Sequence, residues 1–380
     1  MTRITRVRTF VMRANWVNWL FVRVETDQPG LYGWGEASLH GSTRSVETAI
    51  HEMAADLIGR DPSGVEAHWY RLYHGWRWRG GPILMTALAG LDCALWDIEG
   101  KRLGVPVCRL LGGPLRDRLR VYASHWLAGV RTPDDAARGA EDAVRRGYTA
   151  FKWSPVRGTD LAENESRAME RARSLMAAAR DAAGQEVDIA IECGESFTHR
   201  TAVRFGNLLA PYRPLWFEEP IGFENARAMV QLKQELPVPI ACGERLLARW
   251  EFRELIEMGA ADVYQPDAMH AGGITEWRKI ASLADTYYRP IAPHVPGGPI
   301  MYATSVHLAA SIPNFLILED MEDDRALRDE ICSSEPLTRA EGTVFVPTAP
   351  GLGVDLDIGR IETRPFRPQP QAGRSAQPWR

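Results

Sequence analysis

Three glutamates, Glu192, Glu218 and Glu244, each close a short apolar run, and successive members stand 26 residues apart. That interval suits one strand-plus-helix unit of an alternating fold, so the three would meet on one rim of a barrel. An acid at a strand end can also cap the following helix. Three in register, however, repel one another unless a cation neutralises them. All-oxygen ligation with room for substrate suits a hard divalent ion, Mg²⁺ ahead of Mn²⁺ or Ca²⁺, one per subunit. The series continues with Asp267, 23 residues on, then His294 after 27 and Glu319 after 25. A histidine one unit after an aspartate invites a dyad in which the carboxylate fixes the tautomer and raises the basicity of the ring. Lys152, at the end of an earlier run, stands across the ring. There it would grip a substrate carboxylate or, with its pKa lowered, serve as a base. Together these groups point to removal of a proton α to a carboxylate.

Positioning them takes a particular set of elements. Eight apolar runs follow residue 120: Val121–Trp126, Ala150–Ser154, Val187–Glu192, Leu215–Glu218, Ile240–Glu244, Val263–Asp267, Pro290–His294 and Phe315–Glu319. Amphipathic stretches lie between them, with start signals such as Thr132 before Pro133 and a stop at Gly147. Eight strands alternating with helices predict an α/β fold, a TIM-like (β/α)8 barrel. The N-terminal part reads differently. Strand patterns at Phe21–Thr26 and Tyr32–Glu36 precede helical ones at Ser45–Leu57, Val65–Tyr73 and Ile83–Arg102, which predicts an α+β capping domain. The expected organisation is a cap over 1–118, a barrel over 119–339, a segment 340–366 packing back on the cap through the strand-like Thr343–Val346, and a mobile tail over 367–380.

Bulk properties exclude other classes. The hydrophobic share of 45% and charged share of 25% describe a chain that folds. A net charge of −4 offers no field for a phosphate backbone, so no nucleic-acid partner is expected. The start carries no apolar signal core and no uninterrupted apolar stretch approaches a membrane span, so a cytoplasmic protein without a membrane role is expected. Five scattered cysteines without a Cys-x-x-Cys read as reduced, mostly buried thiols.

The chain resembles the enolase superfamily, in its mandelate racemase/muconate lactonizing enzyme subgroup, over nearly its whole length. Gly33-Trp34-Gly35-Glu36, Gly90-Leu91-Asp92-Cys93-Ala94-Leu95-Trp96-Asp97 and Leu110-Leu111-Gly112-Gly113 are similar to that family's capping domain. Phe217-Glu218-Glu219-Pro220, Gly243-Glu244, Gln265-Pro266-Asp267 and Gly272-Gly273-Ile274-Thr275 are similar to its barrel motifs. The resemblance implies that Glu192, Glu218 and Glu244 hold Mg²⁺, that Asp267 and His294 form the dyad, and that Glu319 hydrogen-bonds the substrate carboxylate. It also implies a homo-oligomer, a dimer or an octamer. Two departures matter. Where the racemases carry Lys-x-Lys, this chain has Lys152-Trp153-Ser154, without the second base. Where several sugar-acid dehydratases carry a histidine two residues after the first metal ligand, it has Gly194, followed by Glu195 and Ser196.

A racemase needs a base on each face, whereas His294 alone can take the α-proton and return it to a departing β-hydroxyl. The sequence therefore favours an acid-sugar dehydratase, a hydro-lyase converting an aldonate or aldarate to a 2-keto-3-deoxy acid. A racemase or epimerase with Lys152 as second base, and a catalytically silent metal-binding barrel, are the alternatives. Candidates for reading the distal hydroxyls of this small-molecule carboxylate are Asn15, Trp16, Asn18, Trp19, His40, Trp76, Arg77, Arg79, His125 and Ser154.

Overall fold

The computed structural model describes residues 2–126, 129–156 and 158–368. The chain opens with an antiparallel sheet of β1 (Ile4–Arg13), β2 (Asn18–Thr26) and β3 (Tyr32–Glu36). Alternation along β2 divides its side chains. Leu20, Val22 and Val24 enter the cap's own core, while Trp19 and Phe21 join the core shared with the barrel. Four helices follow: α1 (Thr43–Ala54), α2 (Val65–His74), α3 (Gly81–Leu103) and α4 (Val107–Leu110). The glycines of Gly33-Trp34-Gly35 are needed because β3 lies directly on α3. A Cβ at Gly33 would sit 2.0 Å from the Ala94 carbonyl oxygen, and one at Gly35 would sit 1.8 Å from that of Gly90. By length and composition α3 could cross a membrane, but most of it is buried against β3, α1 and the barrel, as the core helix of a domain would be.

The barrel alternates β4 (Arg118–Ser124), α5 (Pro133–Arg145), β5 (Ala150–Trp153), α6 (Gly158–Ala183), β6 (Asp188–Glu192), α7 (His199–Leu209), β7 (Phe217–Glu218), α8 (Ala226–Glu235), β8 (Ile240–Cys242), α9 (Arg249–Met258), β9 (Val263–Tyr264), α10 (Gly273–Thr286), α11 (Pro299–Ser311), β10 (Leu318–Met321) and α12 (Glu322–Glu330). Helix α5 starts as its sequence requires, with a reciprocal Thr132–Asp135 capping box and Pro133 in the first turn. Neighbouring strands pair in parallel, and β10 closes the ring on β4 through Leu318 opposite Val121. The seventh run makes only isolated bridges, Tyr264–Ile291, Asp267–His294 and Ile291–Phe315. The interior settles the strand count. Tyr122, Ala150, Ala190, Trp216, Ala241, Val263, Ala292 and Ile317 form one buried cluster, with one residue from each of the eight runs.

Two expectations change. The eighth strand continues past Glu319 to Met321, so Glu319 faces Tyr122 within the strand rather than ending it. After β11 (Arg339–Ala340), the strand β12 (Thr343–Phe345) pairs with residues 118–120 of β4, not with the cap. The start of β4 offers an unpaired backbone edge, which β12 satisfies. Contact with the cap comes later, where Val107 N–H donates to the Gly351 carbonyl and Asn18 exchanges two hydrogen bonds with Arg367, after the short helix α13 (Ile358–Glu362). Of the expected tail, residues 369–380 lie outside the described residues.

Buried acids of the cap sit at the starts of barrel helices, where free N–H groups and the helix dipole favour negative charge. Glu36 accepts from Gly298 and Met301 N–H at the start of α11, and Asp92 accepts from Thr275 N–H and Oγ1–H at the start of α10. Trp69 and Trp96 add indole N–H donations to the Gly272 carbonyl and to Thr275 Oγ1. The cysteines are all free thiols, four buried and Cys332 half-buried.

Candidate active site

Counting two residues on from each floor residue of the barrel returns to the inward face one layer higher. That layer is Ser124, Lys152, Glu192, Glu218, Gly243, Gln265, His294 and Glu319. Its members touch one another around the ring. Ser124 Oγ–H donates to Glu319 Oε1 at 2.6 Å, and Lys152 Nζ lies 3.1 Å from the same oxygen and 3.5 Å from Glu192 Oε2. Lys152 also bonds Glu218 Oε1, while Glu218 Oε2 accepts from Trp216 Nε1–H at 2.9 Å and Gln265 Nε2–H at 2.7 Å. Glu192 and Glu218 are direct partners across β6 and β7.

Glu244 and Asp267 reach this ring from just beyond their strands. Oxygens of Glu192, Glu218 and Glu244 all lie within 4.8 Å of one another. His294 Nδ1 is 2.8 Å from Asp267 Oδ2, and its Nε2 is 3.3 Å from Glu244 Oε2. Asp267 is itself held by N–H donation from Met269 and His270 to Oδ1. When the ring is neutral its proton stays on Nδ1, since Asp267 can only accept, and Nε2 is left toward the rim.

Charge accumulates here. Glu218 is pushed up to about 7 by burial and by Glu192 and Glu319, against the pull of Lys152. Burial works to lower both His294 and Lys152. In His294 it is outweighed by Glu244, the Asp267 hydrogen bond and Glu319, which hold the ring at about 10. In Lys152 it is outweighed by Glu218, Glu319 and Glu192, which keep the ammonium charged. The lysine is thus the reverse of a base with a lowered pKa. Burial would raise Glu319, but Lys152, His294, Ser124 and Val295 N–H hold it well below the ordinary carboxylate range. Its Oε1 meets Ser124 and Lys152, and its Oε2 accepts Val295 N–H. Beside the ring, Arg245 pairs with Glu219 Oε2 at 2.6 Å and Glu244 Oε1 at 3.3 Å.

The three glutamates fit a divalent cation by their chemistry and by one further observation. Glu192 Oε1 is buried with no hydrogen-bond partner among the described residues, a state that costs free energy unless something else satisfies it. Ser124, Trp216, Gln265 and Arg245 were not among the residues read from sequence as site groups. The period-two step from the apolar floor is the signal that finds the first and third.

Candidates for the distal pocket separate. Trp16, in the loop between β1 and β2, is half-exposed with its ring 5.9 Å from that of His125 at the end of β4. Asn15 ties this loop to the barrel by donating to the Asp323 carbonyl and to Asp324 Oδ1. Ser154 is exposed at the mouth, its hydroxyl donated to the Val156 carbonyl. Trp19 is not a lid residue. It lies inside β2, fully buried and edge-on to Phe21, because strand alternation turns it into the core. Asn18 is likewise structural, bonded to Arg367. His40 is exposed in the turn before α1. Trp76 packs into the cap core, Arg77 lies over Trp78, and Arg79 lies over Tyr73 and bonds His74, so this stretch belongs to the cap rather than the ring.

Comparison with known proteins follows the same division of the chain. Residues 6–112 match the family described as mandelate racemase / muconate lactonizing enzyme, N-terminal domain, and residues 135–360 match the one described as enolase C-terminal domain-like. A D-galactonate dehydratase of Ralstonia nicotianae is 38% identical over 383 aligned residues, covering 100% of this chain and 96% of that protein. Among solved structures, a member of the enolase superfamily from Salmonella Typhimurium superposes with a TM-score of 0.89 at 31% identity, over 96% of this chain and 99% of that one. A mandelate racemase/muconate lactonizing enzyme from Sulfitobacter sp. gives 0.87 at 32% identity, over 97% and 96%.

Proposed function

The chain belongs to the mandelate racemase / muconate lactonizing enzyme family of the enolase superfamily, and from that premise we propose that it is an acid-sugar dehydratase. The observation that carries this reading is the single base. His294 has its Nδ1 committed to Asp267 and its Nε2 turned to the rim. Lys152 is fixed as a cation among three carboxylates, and Ser154 stands where a second lysine would be needed. One base suffices for elimination but not for inversion.

Glu192, Glu218 and Glu244 would hold the cation, Mg²⁺ by the hardness of the donor set. Bound there, the cation would take up the charge that develops on the substrate carboxylate as the α-proton leaves. Lys152, charged and beside the same glutamates, adds a fixed positive group at that carboxylate. A cation on the glutamates would cancel the pull of Glu244 that keeps the ring protonated without it. His294 Nε2, then unprotonated, takes the α-proton, and Asp267 stabilises the imidazolium through Nδ1–H. The imidazolium then gives that proton to the β-hydroxyl on the same face, which leaves as water, and the resulting enol becomes a 2-keto-3-deoxy acid. Trp16 and His125 at the mouth would read the distal carbons, the indole against sugar C–H surface and the imidazole toward hydroxyls.

The D-galactonate dehydratase similarity makes aldonates the first substrates to test, galactonate leading. Incubation with Mg²⁺ and a panel of aldonates and aldarates is expected to yield 2-keto-3-deoxy acid, scored as its semicarbazone. C2-proton exchange from both enantiomers without loss of water would instead establish a racemase. Absence of both turnover and exchange would establish a silent barrel.

A further inference from the structure

The base sits on a loop, and that loop is gripped from outside the catalytic ring. After His294, the backbone runs through Val295, Pro296, Gly297 and Gly298 into α11. Glu319 Oε2 accepts Val295 N–H at 2.8 Å. Arg328 of α12, fully buried, donates from Nε to the Gly297 carbonyl at 2.9 Å and from Nη2 to the Val295 carbonyl at 3.2 Å, with Asp320 behind it. From the cap, the buried Glu36 accepts Gly298 N–H at 2.6 Å, Met301 N–H at 3.0 Å and Ser38 Oγ–H at 2.8 Å. The approach is close enough to require glycine. A Cβ at Gly297 would lie 2.8 Å from Glu36 Oε1, and one at Gly298 would lie 3.1 Å from both Glu36 oxygens and from Phe21.

We propose that Glu36 and Arg328 are positioning residues: a cap carboxylate and a barrel guanidinium that clamp the Val295–Gly298 loop from its two sides and so hold His294 at the α-proton only while the cap is seated. This rests on the dehydratase reading for its catalytic consequence. A carboxylate accepts and a guanidinium donates, so the pair can hold alternate N–H and C=O groups of one short segment. Neither touches the ring, and both lie where the sequence of the barrel rim alone gives no sign of them. The cap thereby contributes to proton abstraction through the base itself, as well as by covering the mouth.

The test compares the full-length, Mg²⁺-loaded wild type with Glu36→Gln, Glu36→Asp and Gly298→Ala. The readouts are kcat and KM on the best aldonate, Mg²⁺ affinity by calorimetry, and amide hydrogen exchange over residues 295–302. Glu36→Gln is expected to lower kcat about 10- to 100-fold, the scale of a misplaced catalytic group. KM and Mg²⁺ affinity should stay within about threefold, because the lost interaction serves the chemical step alone. Exchange over 295–302 should quicken, and Glu36→Asp should recover part of kcat. Faster exchange with an unchanged kcat overturns the proposal, as does a parallel loss of KM, metal affinity and protection throughout the barrel. Should Glu36→Gln fail to fold, Gly298→Ala, which crowds the carboxylate and the edge of Phe21, carries the same outcomes. Should the wild type turn over no sugar acid, the dehydratase reading fails separately. The clamp is then decided by diethyl pyrocarbonate labelling of His294, faster in the variant if the clamp holds the base and equal if it does not.

Discussion

His307 should make the seating of the cap acid-labile by a calculable amount. This imidazole lies on α11 with no exposed surface, its Nδ1 accepting Cys108 N–H from the cap and its Nε2 3.1 Å from the Leu352 carbonyl of the returning C-terminal segment. Only the neutral Nε2–H form satisfies both partners, since a proton on Nδ1 would oppose the Cys108 donor. Burial accordingly pulls its pKa from 6.5 down to about 4. For a base whose folded pKa is depressed, the unfolded chain binds the proton more readily. The contribution is therefore fully present above pH 6.5 and is lost as the pH falls toward 4. At ~1.36 kcal/mol per pH unit the loss by pH 4 comes to roughly 3 kcal/mol. Glu36 and Asp92 run the other way. Burial raises them to about 6 and about 7, so their folded-state cost is relieved as pH falls, and the wild-type curve alone would understate the histidine. Urea unfolding of wild type and His307→Gln at intervals from pH 7.5 to pH 4 removes that background, because both proteins share it. The wild type's advantage over the variant should shrink by about 3 kcal/mol across that range. A difference that stays constant with pH would refute the assignment of a neutral, doubly satisfied His307.

Other expectations concern the ring directly. His294→Asn should lower turnover by about 10²- to 10⁴-fold, the usual contribution of a general base, and abolish C2-proton exchange in D₂O while Mg²⁺ still binds; exchange at the wild-type rate would remove His294 from the mechanism. At a hundredfold excess over Kd, Mg²⁺ should stabilise the wild type by about 2.7 kcal/mol in thermal or urea unfolding, and Glu192→Gln should lose most of that gain. Lys152→Met leaves the buried Glu218 and Glu319 and the half-buried Glu192 without their ammonium, which should cost about 3–5 kcal/mol in metal-free protein and less when Mg²⁺ is present. An equal cost under both conditions would mean that the lysine and the cation do not share those charges. Trp16→Ala should raise KM for long-chain aldonates while leaving kcat and Mg²⁺ binding near their wild-type values, measured as steady-state kinetics across a chain-length series.

Legibility of the site follows from how far each signal reaches along the chain. Apolar runs ended by Glu192, Glu218, Glu244, Asp267 and His294 are local patterns, and strand alternation with a repeated strand-to-helix interval suffices to bring them to one rim. The helix start at Thr132 and Pro133 was legible for the same reason, whereas the need for Gly33 and Gly35 was not, because it arises where β3 lies on Ala94 and Gly90 of α3. The sequence names Glu319 for the rim but gives no sign of its partners Ser124 and Val295, which arrive from other strands. Trp19 was misplaced since a tryptophan near a loop and one inside a strand look alike until the register assigns a face.

Taken alone, the amino-acid sequence determined the barrel, its order of strands and the acids, lysine and histidine that end its runs, since these follow from periodicities of two residues and of one strand-plus-helix unit. Tertiary structure alone decided which groups meet across the cap and barrel. Glu36 reaches Gly298 over 262 positions, and Asp92 reaches Thr275 over 183. No spacing rule encodes such pairs; they exist because two separately folded surfaces place a buried carboxylate against the open N–H groups of a helix start.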